Sequence, residues 1–149
     1  MSTGNVCPQL LSECDVVKLS PAKECDKPEI INGLLFDKKQ AFSLESITIP
    51  SGVTSIGNQA FSYCNNLTEI KVAENNGYFC DVDGVLFDKS AQTLIFYPYG
   101  KFDSAYIVPE GVTSIGNSAF YSCSGITEVI LPFSVTSISD YAFYNCIKL

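Results

Sequence analysis

One block of the chain occurs three times, and this recurrence constrains the fold more than any other feature. Pro50-Ser-Gly-Val-Thr-Ser-Ile-Gly-Asn-Gln-Ala-Phe-Ser-Tyr-Cys64 returns as Pro109-Glu-Gly-Val-Thr-Ser-Ile-Gly-Asn-Ser-Ala-Phe-Tyr-Ser-Cys123. It returns again as Pro132-Phe-Ser-Val-Thr-Ser-Ile-Ser-Asp-Tyr-Ala-Phe-Tyr-Asn-Cys146. Over 50–70 and 109–129, 13 of 21 positions are identical, where average composition would give about one or two. The second and third copies are 23 residues apart, and the first and second 59, which is one period plus a 36-residue insertion. Units this short cannot bury an apolar face alone. They fold only by stacking on their neighbours along one axis.

Each unit carries a period-two segment. Leu67-x-x-Ile70-x-Val72 and Ile126-x-x-Val129-x-Leu131 alternate as half-buried strands do; Leu44-x-x-Ile47-x-Ile49 fits the same frame, and Tyr106-x-Val108 fits it weakly. A proline lacking an amide hydrogen then ends each strand. Val-Thr-Ser-Ile reads as extended, Gly57 or Gly116 as a turn, and Ala-Phe-x-x-Cys as one short helical or 3₁₀ turn. The expected core of the repeats is Ile56, Phe61 and Cys64, then Ile115, Phe120 and Cys123, then Ile138, Phe143 and Cys146. Corresponding strands should stack in parallel into one curved sheet.

The insertion has a separate logic. Val82-Asp-Gly-Val-Leu-Phe-Asp-Lys89 parallels Ile31-Asn-Gly-Leu-Leu-Phe-Asp-Lys38. Asp-Gly or Asn-Gly between apolar residues is a strong hairpin signal, because both central residues tolerate positive φ. Two β-hairpin modules are expected, with Thr93 to Tyr97 as a third strand of the second. Residues 78–106 hold eight aromatic residues. Some must pack inward, and the remainder are expected as an exposed patch.

Composition removes whole classes of function. The 149 residues contain no His and no Trp, all nine basic residues are Lys, and the net charge is -7. Without His there is no Ser-His or Cys-His nucleophilic pair and no usual zinc ligand. Without Arg or a basic stripe, nucleic acid and anionic membranes are unsuitable partners. Apolar runs fall far short of the roughly 20 residues of a membrane helix. Asp81-Val-Asp83-Gly84 resembles only the start of a calcium loop and lacks the distal glutamate; aspartate in a turn explains it better. Asn66-Leu67-Thr68 has the form of a glycosylation sequon at a repeat turn, where Asn is a natural structural choice. Cys64, Cys123 and Cys146 share a repeat position and read as reduced core residues. Cys7, Cys14, Cys25 and Cys80 are even in number and allow two disulfides in an oxidising compartment, in pairings the sequence does not fix. A reactive Cys80 would depend on Lys or a helix terminus to lower its pKa. No catalytic, metal or cofactor residue is assigned.

The repeated block closely resembles the BspA-like leucine-rich repeats through Pro50, Val53 to Gly57, Ala60, Phe61, Cys64, Leu67 and Ile70, with equivalents at 109–129 and 132–149. A 23-residue period lies in the range of leucine-rich repeats. The Val-Asp-Gly-Val-Leu-Phe segment is similar to the aromatic hairpins that interrupt repeats in this family. The resemblance implies a β-rich leucine-rich-repeat solenoid: a right-handed superhelix with a parallel concave sheet, short helical turns and inserted β-hairpin modules. The organisation expected is an N-terminal cap at 1–28, a hairpin module at 29–43, repeat 1 at 44–72, an inserted aromatic hairpin module at 73–106, repeat 2 at 107–131 and an incomplete repeat 3 at 132–149.

It also implies a non-catalytic protein-binding module at a cell surface or secreted, with adhesion to host or matrix proteins as the usual role. No charged and then apolar leader opens the sequence, which leaves a cytosolic protein or a piece of a longer one. Leu149 aligns with Leu67 and Ile126, the start of a strand segment, which favours a piece. Outward strand positions should supply the contact surface: Glu69 and Lys71, then Ile107, Glu128 and Ile130 with Phe133 nearby. The alternative is a structural spacer that self-associates through an open C-terminal end.

Overall fold

The computed structural model describes residues 29–31, 34–36, 43–57 and 60–149. The expected cap at 1–28, with Cys7, Cys14 and Cys25, lies outside the described residues. Eleven short strands are present among them. Strands β1 (Glu29–Ile31) and β2 (Leu34–Phe36) pair antiparallel, with Ile31 opposite Leu34. Strands β3 (Ser46–Ile49) and β4 (Glu69–Val72) pair in parallel with Ser46 opposite Glu69. Strands β5 (Phe79–Val82) and β6 (Val85–Asp88) are antiparallel around Asp83 and Gly84. Both turn residues have positive φ, 51° and 76°, the backbone of a type I′ turn.

The remaining strands build two ladders at once. Strand β8 (Ala105–Ile107) pairs in parallel with β10 (Glu128–Ile130). Strand β7 (Thr93–Phe96), antiparallel to β6, is parallel to β9 (Ser114–Ile115), which is parallel to β11 (Ser137–Ile138). The five-stranded sheet therefore runs β5-β6-β7-β9-β11.

Two sequence expectations are corrected here. The equivalent strands do stack in parallel at the 23-residue offset, yet β3–β4 and β8–β10 are separate pairs, not one curved sheet. The β5–β6 turn stands beside β4: the Ile70 N–H donates to the Gly84 carbonyl at 2.9 Å, and Val72 N–H to the Asp81 carboxylate at 2.7 Å. A Cβ on Gly84 would lie 3.0 Å from Glu69 Cγ, so glycine permits the approach as well as the positive φ. Nor is Ala-Phe-x-x-Cys helical. Phe61, Phe120 and Phe143 carbonyls accept from Cys64, Cys123 and Cys146 in isolated four-residue turns, with Tyr63, Ser122 and Asn145 at φ 67°, 57° and 58°. The N–H groups that would continue a helix point sideways instead: Ser118, Phe120 and Ser122 donate to Asp140, Ala142 and Tyr144 of the next unit. Stacking satisfies the backbone, and helix is unnecessary.

The aromatic insertion also differs from a simple hairpin module, because its second half occupies repeat positions. Tyr97 N–H donates to Ala119 O at 2.8 Å, as Phe120 does to Ala142. Gln92 O and Ser104 O accept from Thr113 and Thr127, the roles that Thr113 O plays for Thr136 and Glu45 O for Thr68. Tyr97 therefore stacks on Phe120 (5.1 Å, 25°), and Phe120 on Phe143 (5.0 Å, 14°).

Alternation along β6, with the register shift where it meets β7, divides the interior in two. Leu86 and its register partner Phe96 join Ile49, Phe61, Leu67 and Ile70 in a core on the repeat 1 side. Val85, Phe87 and Leu94 join Tyr97, Ile115 and Phe120 in a core on the repeat 2 side. Burial on both faces explains why β6 reads as an unbroken apolar run. Of the insertion's eight aromatics, only Tyr78 and Phe102 are exposed, so the expected aromatic patch does not form there.

Candidate interaction surface

The predicted core residues fall along a gradient of burial. Phe61, Cys64, Ile115, Phe120 and Cys123 are buried; Ile56, Phe143 and Cys146 are half-buried. Ile138, expected in the core, is 53% exposed, because it lies on the outermost strand of the five-stranded sheet.

The cysteines are built into the stack. Cys146 Sγ donates to Phe120 O at 3.0 Å, and Cys123 Sγ faces Tyr97 O at 3.9 Å. Burial pushes the Cys64 thiol up to about 11 and raises Cys123 and Cys146 as well. Cys80 is a free thiol that donates to Asp88 O at 3.0 Å. Burial first, and the Asp88 charge second, raise its pKa, the opposite of what an activated nucleophile needs.

Other polar groups serve the architecture. Asn76, almost wholly buried, donates to Pro50 O and Val53 O and accepts from Tyr78 and Phe79 N–H, bracing repeat 1 against β5. The Asp88 carboxylate accepts from Gln92 and Thr93 N–H and from the Ser90 hydroxyl. Burial would raise it, but these bonds outweigh burial and hold it below the usual value. Asp81 caps Val72 rather than standing free for a cation. No metal-binding cluster occurs among the described residues.

The outward positions of the parallel pairs form two unlike halves. On β4, Glu69 and Lys71 make an exposed ion pair at 3.3 Å, a contact worth little by itself. On β8 and β10, Ile107 and Ile130 are direct register partners, 68% and 45% exposed. Phe133 is fully exposed after Pro132, and Glu128 is exposed two residues before Ile130. Asp83 is exposed at the hairpin turn, whose next residue, Gly84, accepts from the Ile70 N–H of β4. Asp103 accepts from the buried Tyr97 hydroxyl at 3.0 Å and meets Lys101 at 3.4 Å. Sequence patterning located the strand residues of this candidate surface.

Comparison with known proteins places this architecture. Residues 89–149 match the family model described as BspA type leucine-rich repeat region (6 copies). That match takes in β7 and β8, the strands that occupy repeat positions within the insertion. No curated protein matches the chain. Three solved structures are similar. A leucine-rich cell surface protein of Faecalibacterium prausnitzii is 41% identical over 72% of this chain and 28% of its own, with a TM-score of 0.63. The pneumococcal vaccine antigen PcpA is 34% identical over 71% and 26%, with a TM-score of 0.66. A leucine-rich repeat protein from Eubacterium ventriosum is 28% identical over 68% and 27%, with a TM-score of 0.65. The chain thus spans about a quarter of the length of each. By its repeats and by the family-model match, the segment 89–149 is a BspA-type leucine-rich repeat region.

Proposed function

We propose that the chain is a non-catalytic protein-binding module, exposed at a cell surface or secreted, in which stacked units form a solenoid carrying one contact face. Two similar structures are described as a surface protein and a vaccine antigen, which supports the location and makes host or matrix proteins the first partners to test. The observation that carries the reading is the pairing of Ile107 with Ile130 on adjacent strands, exposed beside Phe133. Large apolar side chains held in a row by a ladder are an ordered contact surface. Glu69, Lys71 and Glu128 form its polar margin. The boundaries at 28, 43, 72, 106 and 131 are working limits for dissecting it.

The test is a binding screen of the whole chain against immobilised host and matrix proteins. It is followed by Ile107→Glu, Ile130→Glu and Phe133→Glu together, with folding checked by circular dichroism. Loss of binding is expected; unchanged binding by a folded variant rejects this face.

A second reading, a self-associating spacer, rests on a different observation. Ile138, Tyr141, Tyr144 and Ile147 are all exposed at the last unit. Light scattering over a concentration series tests it, with a monomer at high concentration counting against it.

A further inference from the structure

The contact face carries unbalanced charge as well as apolar area. Glu69 is matched by Lys71, and Asp103 by Lys101. Glu128 is exposed and has no ion pair among the described residues. It borders the apolar row, on the same strand as Ile130 and two residues before it. The chain as a whole adds to that field, with 16 acidic residues against nine lysines, so an acidic partner is repelled before contact. Spacing adds a second constraint. Glu128 and Ile130 point to one side of β10, about 7 Å apart at the rise of a strand. An extended partner presents same-side residues at that interval, with one residue between them.

From this juxtaposition we infer that the partner of the face is an extended cationic polypeptide segment, in which Arg or Lys lies two positions from a large apolar residue. Arginine fits best, since its fork meets a carboxylate with two hydrogen bonds, and this chain contributes no arginine of its own. The inference rests on the proposed contact face and deepens it.

Fluorescence anisotropy of the whole chain with three labelled peptides tests it: one alternating Arg-x-Phe, one Glu-x-Phe and one Gln-x-Phe. The Arg peptide is expected to bind tightest and to weaken as salt rises past a Debye length of about 8 Å. Glu128→Gln should weaken it roughly two- to fivefold, as expected for an exposed pair. Equal binding of the Glu peptide, or no binding of the Arg peptide at millimolar concentration, overturns the inference. Ile130→Ser separates the two readings. If it abolishes binding while Glu128→Gln and salt leave it unchanged, the face stands and the cationic partner falls. If it too leaves binding intact, the face itself is wrong.

Discussion

Repeat 1 and repeat 2 are nearly the same sequence in different company. Phe120 lies in a column between Tyr97 and Phe143, each ring about one stacking distance away. Phe61, its counterpart, meets Phe96 at 4.8 Å with the rings inclined by 39°, and belongs to the other core. Ser114 and Ile115 pair with strands on both sides, whereas in repeat 1 only Ile56 forms an isolated bridge. A 23-residue motif specifies what a unit can offer its neighbours. The residues inserted between units decide which neighbour accepts.

That contrast predicts a ranking. Phe120→Ala should cost about 3–5 kcal/mol, the range for a wholly buried aromatic, while Phe143→Ala at the half-buried end costs less than half as much. Chemical denaturation of both variants measures this, and equal losses would break the column. Gly100→Ala comes next. Its Cβ would lie 2.6 Å from the Asn66 carbonyl carbon, where Gly100 N–H already donates to Leu67 O. Backbone overlap of this kind should cost about 1–3 kcal/mol and loosen the seam between the cores. Hydrogen exchange should rise at Gly100 and Phe96 before it rises at Gly116 and Phe120. Asn76→Ala removes the partner of the Val53 carbonyl and of the Tyr78 and Phe79 N–H groups where repeat 1 meets β5, at a cost of about 1–3 kcal/mol that chemical denaturation measures.

Much of this was legible in the chain itself. The 23-residue offset appears directly as the register Ser46–Glu69, Ala105–Glu128 and Ser114–Ser137. The Asp83–Gly84 turn follows from its dipeptide. The repeat hidden within the insertion was not legible. Thr93 pairs with Ser114 at an offset of 21, Tyr97 stands where Phe is expected, and no Val-Thr-Ser-Ile-Gly marks the strand. Its trace was the weak Tyr106-x-Val108 strand before Pro109, a signal without its companion motif. The strand residues of the proposed contact face were legible too, since alternation marks Ile107 and Ile130 as outward positions.

The smallest expected effect concerns pH. Burial raises the Cys64 thiol from 9.0 to about 11. Its contribution is therefore complete below pH 9 and declines as pH rises toward 11, because the unfolded chain loses this proton first. Denaturation at pH 8 and pH 10.5 should show a drop that is smaller in Cys64→Ala.

The most direct test is a map of aromatic contacts in solution by nuclear Overhauser effects. Ring contacts running Phe143 to Phe120 to Tyr97, with Phe61 meeting Phe96, are predicted. Phe61 in contact with Phe120, with Tyr97 outside the column, would contradict the claim that the insertion supplies a repeat unit and separates the two cores.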